Sequence, residues 1–200
     1  MVKAIIKVSV IMALCGCGSS THEKGIANHY MHKSSFEELS KKFEDPEREE
    51  WQKPDLVIQK LGDIAGKKIA NIGAGTGYFS RRLAQKGASI IALDVDDQFL
   101  NYINTHSQDS LDITTRKVPF NSPQLDSAEV NTVIIVNTYH HIENRYEYFR
   151  DVWRGIKPGG QLMVVDFKKE KTPNGPPVEL RIDGFKVMRE LQKAGFIKVV

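Results

Sequence analysis

Runs of apolar residues alternate with amphipathic stretches along most of this 200-residue chain. The apolar runs predict buried strands at about 67–72, 89–94, 112–117, 131–137 and 161–167. Stretches with apolar residues at helical spacing predict helices at about 77–86, 96–105, 143–155 and 183–194. Strands and helices that alternate with short loops indicate an α/β fold, with a doubly wound, mostly parallel sheet and helices on both faces.

Two further helices are predicted ahead of the first strand. One follows a Ser cap over residues 35–43, and the other covers residues 54–61. We interpret residues 35–62 as a helical lid over the mouth of a ligand site. This lid opens a single domain over residues 35–200, which is an ordinary domain length.

A glycine-rich turn follows the first predicted strand of the domain. Gly73, Gly75 and Gly77 stand two residues apart between an apolar run and the start of a helix. Such a turn brings backbone N–H groups close to a small ligand. Asp94 ends the second strand, where a carboxylate in doubly wound folds accepts hydrogen bonds from ribose hydroxyls. Together they predict a nucleoside-binding site.

The spacing of the glycines separates two kinds of nucleotide. Dinucleotide-binding turns follow the pattern G-x-G-x-x-G/A, whereas this turn is G-x-G-x-G and has Tyr78 where the third small residue is needed. A dehydrogenase that binds NAD or FAD is therefore the disfavoured interpretation.

The turn instead resembles motif I of the class I S-adenosylmethionine (SAM) methyltransferases. The resemblance extends over residues 43–200 and includes the pair His140-His141 after the strand at 131–137, and the later turn 157–160 with sequence Lys-Pro-Gly-Gly. It implies a Rossmann-like fold, SAM as cofactor and a small-molecule methyl acceptor. The cofactor-binding residues that it implies are Asn71, Gly73, Ala74, Gly75, Gly77, Asp94, Val95 and Asn137.

The chain departs from this family in two places. The family usually has an acid at the position of Asn71, where an amide lacks the charge that strengthens a bond to an ammonium group. The family also continues past a sixth strand into a seventh, antiparallel strand, whereas residues 194–200 give only the opening of strand six. We therefore expect a sheet that lacks its last antiparallel strand. A non-catalytic, lipid-anchored binding protein with this fold is the alternative interpretation.

His140 and His141 are the candidate catalytic residues. They follow the strand at 131–137, where a methyl acceptor approaches, and imidazole titrates near neutral pH. Either one could take a proton from the acceptor, and His140 is the preferred base. The alternative for each is a structural hydrogen bond to the backbone. Two adjacent histidines without a third ligand at suitable spacing do not predict a metal site.

The composition excludes one class of partner. Lys and Arg number 28 against 25 Asp and Glu, a formal net charge of +3, and no basic stripe with interleaved aromatic residues is present. We therefore expect no nucleic-acid partner.

Residues 1–17 resemble a bacterial lipoprotein signal peptide. Lys3 and Lys7 precede a short apolar run, and Gly16 stands just before Cys17, the candidate lipidated residue. This resemblance implies that residues 18–34 form a flexible tether and that the protein is anchored to a bacterial membrane through lipid on Cys17, on the periplasmic face. It is cytoplasmic if the leader is not processed. An apolar N-terminal helix or a CxC metal clip are the other interpretations of this segment.

Overall fold

The computed structural model describes residues 4–9 and 34–199. The strands of the sheet are β1 (Ala4–Ser9), β2 (Lys68–Ile72), β3 (Ser89–Asp94), β4 (Ile113–Lys117), β5 (Val130–Val136), β6 (Ile156–Asp166) and β7 (Lys198–Val199). The α-helices are α1 (Phe36–Phe43), α2 (Arg48–Gln52), α3 (Pro54–Leu61), α4 (Tyr78–Gln85), α5 (Asp97–His106), α6 (Arg145–Gly155) and α7 (Gly184–Lys193). Single 3-10 turns lie at Tyr139–His141 and Val178–Leu180.

The sheet has the strand order β4-β3-β2-β5-β6-β1-β7. Strands β2 to β6 are parallel to one another. The chain winds outward in one direction from β2 through β3 to β4, and in the other from β5 to β6. The carboxyl ends of β2 and β5 therefore flank the switch point, where ligands bind in folds of this kind. The predicted doubly wound fold is confirmed.

Helices cover both faces of the sheet. Successive strand residues point to opposite sides, so an apolar strand presents apolar side chains on both faces, and each face needs a helix to cover it. Ile135 belongs to the cluster on one face, with Phe149 of α6 and Leu191 of α7. The next residue toward the amino end, Ile134, belongs to the cluster on the other face, with Leu83 of α4. Burying apolar surface on both faces explains why the central strands are nearly continuous apolar runs.

Most predicted boundaries lie within two residues of the observed ones, and β6 is the main exception. It begins at Ile156 rather than near residue 161, and its register with β5 shifts between Val130 and Thr132. A side chain at Gly160 would come within 2.4 Å of the carbonyl oxygen of Asn131. Glycine therefore lets the two backbones approach closely at the irregularity. The short helix α2 was not predicted.

The sheet continues beyond β6 through a strand from the start of the chain. β1 pairs antiparallel with β6, and β7 pairs antiparallel with β1. An antiparallel strand at this edge, which we expected to be missing, is thus supplied by residues ahead of the domain. These residues belong to the segment interpreted above as a signal peptide, whereas Cys17 lies outside the described residues, as does the tether up to residue 33. Within the described ranges, no helix is both long enough and apolar enough to cross a membrane.

Candidate cofactor and acceptor site

The glycine turn joins the end of β2 to the start of α4 and is held against β3. The N–H groups of Gly73 and Ala74 both donate to the carbonyl oxygen of Leu93, at 2.9 and 3.0 Å. Gly73 has a φ of +68°, and a side chain there would come within 2.4 Å of Thr138. Both the backbone conformation and the lack of space thus require glycine at this position.

The carboxylate of Asp94 binds this turn to the turn after β3. Its Oδ2 accepts from the N–H of Gly75 at 2.8 Å, and its Oδ1 accepts from the N–H groups of Val95 at 2.8 Å and Asp96 at 3.1 Å. Asp94 is only 7% exposed. Burial raises the pKa of this carboxyl above its usual range, and the three N–H bonds act in the opposite direction.

These bonds limit what Asp94 has left for a ligand. A carboxylate offers about four acceptor positions, and the three N–H groups take one on Oδ2 and two on Oδ1. One position on Oδ2 therefore remains for a hydroxyl donor. Asp94 lines the cavity, so a ribose hydroxyl can reach that position. Most of the hydrogen-bonding capacity of Asp94 is therefore used to hold the two turns together, and one acceptor position is left for a ligand.

A cavity of about 1000 Å³ opens beyond the carboxyl ends of β2, β3 and β5. A cavity of this volume holds a ligand of the size of SAM together with a small second molecule. The residues predicted from sequence that line it are Gly73, Ala74, Gly75, Asp94, Val95, Asn137, His140 and His141. The switch point therefore brings the predicted nucleoside-binding and acceptor-binding groups into one space.

Two of the predicted cofactor residues, Asn71 and Gly77, are not among those that line the cavity. Asn71 is 2% exposed, and its Nδ2 donates to the hydroxyl of Ser80 at 2.9 Å beneath the loop. Gly77 precedes α4, and a side chain there would come within 2.9 Å of Ile103. Their contacts support the loop from below, and their binding of cofactor stays a prediction.

Asn137 connects the end of β5 to the N-terminal helices. It has a φ of +56°, in the left-handed region, and its N–H donates to the carbonyl oxygen of Val165 at 2.7 Å. Its side-chain amide donates to Oε1 of Gln52 at 2.9 Å. Gln52 ends α2, so this bond fixes α2 over the switch point.

His140 is held by a carboxylate that we did not predict to pair with it. Its Nδ1 lies 2.9 Å from each oxygen of Asp166, and its backbone N–H donates to Oδ2 of Asp166 at 3.2 Å. An ionised carboxylate only accepts, so the bond assigns the ring proton to Nδ1 and makes Nε2 the basic nitrogen. A histidine that lines the cavity and is oriented by an acid has the arrangement of a general base.

His141 differs from His140 in its environment. Their ring centroids are 4.1 Å apart. Burial, reinforced by the nearby His140, lowers the pKa of His141 to about 4. It is therefore uncharged at neutral pH and a weak base, so the geometry favours His140 as the base and His141 as a neutral wall of the cavity. Among residues 34–199, no group of three or more His, Cys, Asp or Glu side chains is arranged to hold a metal ion.

An aromatic wall lies beside the His140–Asp166 pair. Trp51 of α2 stacks on Phe167 with ring centroids 5.9 Å apart, and Phe167 directly follows Asp166. Both rings line the cavity, as do Ile142 and Leu180. The space next to the candidate base is therefore largely apolar.

Arg181 organises the loop that covers this wall. It is 4% exposed, and its guanidinium donates to the carbonyl oxygens of Lys168, Glu170 and Pro176 at 3.2, 2.7 and 2.8 Å. Residues 173–177 of the loop line the cavity. Arg181 was not predicted, since its position after the loop carries no local signal.

Comparison with known proteins agrees with this geometry. Residues 70–164 match the family described as a methyltransferase domain. A crystal structure of a SAM-dependent methyltransferase from Aquifex aeolicus is 25% identical with a TM-score of 0.73, and the match covers 81% of this chain and 88% of that one. The chain therefore has the Rossmann-like fold of SAM-dependent methyltransferases, and residues 70–164 are similar to a methyltransferase domain.

The chain is also similar to curated proteins that are named as methyltransferases. A demethylmenaquinone methyltransferase of Tropheryma whipplei (strain Twist) is 29% identical over 111 residues, which are 56% of this chain and 46% of the relative. A ubiquinone biosynthesis O-methyltransferase of Pseudomonas entomophila is 27% identical over 107 residues, 52% of this chain and 46% of the relative. The chain thus matches about half the length of these relatives.

We predict that Asp94→Ala weakens SAM binding about 10- to 100-fold, because a charge-assisted hydrogen bond is lost and three backbone N–H groups lose their acceptor. Titration calorimetry on the full chain measures the change. Asp55→Ala, an exposed site on α3, is the control and should bind as the unaltered protein does. Equal affinity in Asp94→Ala would remove Asp94 from the site.

We also predict a pH dependence of stability from His141. Between about pH 6.5, the ordinary pKa of histidine, and about 4, its folded-state pKa, the unfolded chain binds a proton that the folded chain does not. This part of the stability is complete above pH 6.5 and declines as the pH falls toward 4. Urea unfolding of His141→Asn should show a shallower decline, whereas the exposed His106→Gln should not. The same slope in His141→Asn would show that His141 does not titrate in this way.

Proposed function

We propose that this protein is a SAM-dependent methyltransferase that acts on a small molecule. The observation that carries the proposal is that one cavity joins the glycine turn and Asp94 to the His140–Asp166 pair. A nucleoside-binding end and a base end in the same enclosed space suit the transfer of a group from a nucleoside cofactor to an acceptor.

Different residues of the cavity bind the cofactor and activate the acceptor. The glycine turn and Asp94 hold the cofactor, and α1 and α2 exclude water from above. When bound, SAM would supply an electrophilic methyl group, which bonds to the nucleophile of the acceptor while S-adenosylhomocysteine leaves as a neutral thioether. His140 takes the proton from the acceptor at Nε2, and Asp166 keeps Nδ1 protonated and stabilises the charge that the ring gains.

The acceptor class follows from the wall beside His140. Trp51, Phe167 and Leu180 make this region apolar, and the base suits an acceptor whose nucleophile first loses a proton, such as a phenolic hydroxyl. The relatives named for demethylmenaquinone and ubiquinone biosynthesis suggest quinol-type compounds as the first acceptors to test.

The test is transfer of a radiolabelled methyl group from SAM to demethylmenaquinol and to a demethylated ubiquinol precursor. With an acceptor that works, His140→Gln and Asp166→Asn should slow transfer by about 10²–10⁴-fold and leave the affinity for S-adenosylhomocysteine nearly unchanged. His106→Gln is the control on an exposed histidine.

Two outcomes count against these assignments. Undiminished transfer by His140→Gln would show that His140 is not the base. A folded protein that neither binds SAM nor transfers a methyl group would favour the alternative, a non-catalytic binding protein. The relatives described above are named as methyltransferases and give that alternative no support.

We further propose that the chain is attached to a bacterial membrane by lipid on Cys17, because basic residues, an apolar run and Gly16 precede it in the order of a lipoprotein leader. Cleavage before Cys17 would remove β1 and open the edge of β6. Processing and the seven-stranded sheet therefore exclude one another.

Mass spectrometry of the protein expressed in a bacterium tests this attachment. We expect a chain that begins at a lipidated Cys17, the loss of lipid in Cys17→Ser and its retention in the control Cys15→Ser. An intact chain that begins at Met1 would overturn the proposal and leave β1 in the sheet.

A further inference from the structure

The loop that follows β6 has little regular structure of its own. Residues 167–177 belong to no helix or strand. Within this segment, all of which the structure describes, the only backbone–backbone hydrogen bond runs from the N–H of Glu170 to the carbonyl oxygen of Lys168, at 2.8 Å. Buried or half-buried backbone groups need partners. The loop therefore depends on contacts with other groups to keep a single shape.

Arg181 supplies these contacts through Nε, Nη1 and Nη2 of its guanidinium. The acceptors are spread along the loop, and they are the carbonyl oxygens of Lys168, Glu170, Asn174 and Pro176 at 3.2, 2.7, 3.3 and 2.8 Å and the hydroxyl of Thr172 at 2.7 Å. A guanidinium presents its donors in a fixed planar fork, which an ammonium group does not reproduce. One side chain thus fixes the backbone at several points of the loop.

The loop in turn compensates the buried charge of Arg181. The side chain belongs to a residue that is only 4% exposed. Among the residues that the structure describes, no carboxylate forms an ion pair with it. Burying a cation is costly unless hydrogen bonds replace those lost to water. Because the loop oxygens provide this replacement, the loop and the guanidinium stabilise each other.

The backbone of Arg181 is itself fixed to the core. The next residue, Ile182, packs against the cluster on the α6–α7 face of the sheet. Asp183 then caps α7, since its Oδ1 accepts from the N–H groups of Phe185 and Lys186 at 3.0 and 3.3 Å. Arg181 therefore attaches a loop without regular structure to a rigid part of the fold.

The fixed loop forms part of the acceptor end of the cavity. Residues 173–177 line the cavity, whereas Arg181 is not among the lining residues. A side chain at Gly175, which has a φ of +110°, would come within 2.5 Å of the ring of Phe167. The guanidinium of Arg181 lies 5.2 Å from the centre of the same ring. Since Phe167 directly follows Asp166, the loop packs beside the acid that orients the candidate base.

We propose that Arg181 is a positioning residue for the methyl acceptor, an assignment that rests on the proposed function. It holds the loop against Phe167 as a flat wall for an uncharged aromatic acceptor. The charged loop residues 168–171 are exposed and are not among those that line the cavity. The loop residues that do line it include three prolines, Pro173, Pro176 and Pro177.

The test measures the binding of 1-naphthol, a flat and uncharged phenol, to the full chain saturated with S-adenosylhomocysteine. Titration calorimetry gives both the dissociation constant and the fraction of the protein that binds. Arg181→Lys keeps the charge but donates from a single nitrogen, so the loop spends less time in the conformation that binds. We expect this variant to bind 1-naphthol about 10-fold or more weakly and S-adenosylhomocysteine as before.

Arg189→Lys is the matched control, because it makes the same substitution at an exposed arginine of α7. It should bind both ligands as the unaltered protein does. A merely structural role of Arg181 would reduce the fraction of protein that binds and leave both dissociation constants unchanged. That result in Arg181→Lys, or an equal loss of affinity for the two ligands, would overturn the inference.

Thr172→Val keeps the inference testable if Arg181→Lys does not fold. At nearly constant volume it removes a hydroxyl that accepts from Arg181 and donates to the carbonyl oxygen of Asn174, at a residue that is not among those lining the cavity. It should weaken 1-naphthol binding about 3- to 10-fold, and an unchanged affinity contradicts the inference. So does an unaltered protein that binds S-adenosylhomocysteine but not 1-naphthol. Failure to bind S-adenosylhomocysteine would instead overturn the proposed function, and the inference with it.

Discussion

The site depends on the three backbone N–H groups that donate to the carboxylate of Asp94. They come from two turns, one after β2 and one after β3, so a single side chain sets the position of both. Without that acceptor, the glycine turn would carry an unsatisfied N–H at the wall of the cavity, which costs free energy wherever water is excluded. The ligand then needs to add only one donor to an arrangement that is already in place.

A single carboxylate also positions two groups at the other end of the cavity, near His140. Asp166 orients His140 through Nδ1 and also accepts from the N–H groups of His140 and Phe167. The acid thus fixes the ring and the backbone that carries it. Since β5 and β6 are parallel neighbours, the residue that ends β6 lies beside the turn that follows β5. The fold itself brings the two side chains together.

Local sequence patterns predicted the features that depend on local interactions. The parallel strands, most helices, the glycine turn and Asp94 follow from apolar periodicity and from residues that are close in the chain. The pairing of Asp166 with His140 was not predicted, because the two residues are 26 positions apart in the chain. The burial of Arg48 was not predicted, because it is not visible until α2 is placed over the sheet. The position of β1 was likewise beyond prediction, because an apolar run at the start of a chain serves equally as a leader or a strand.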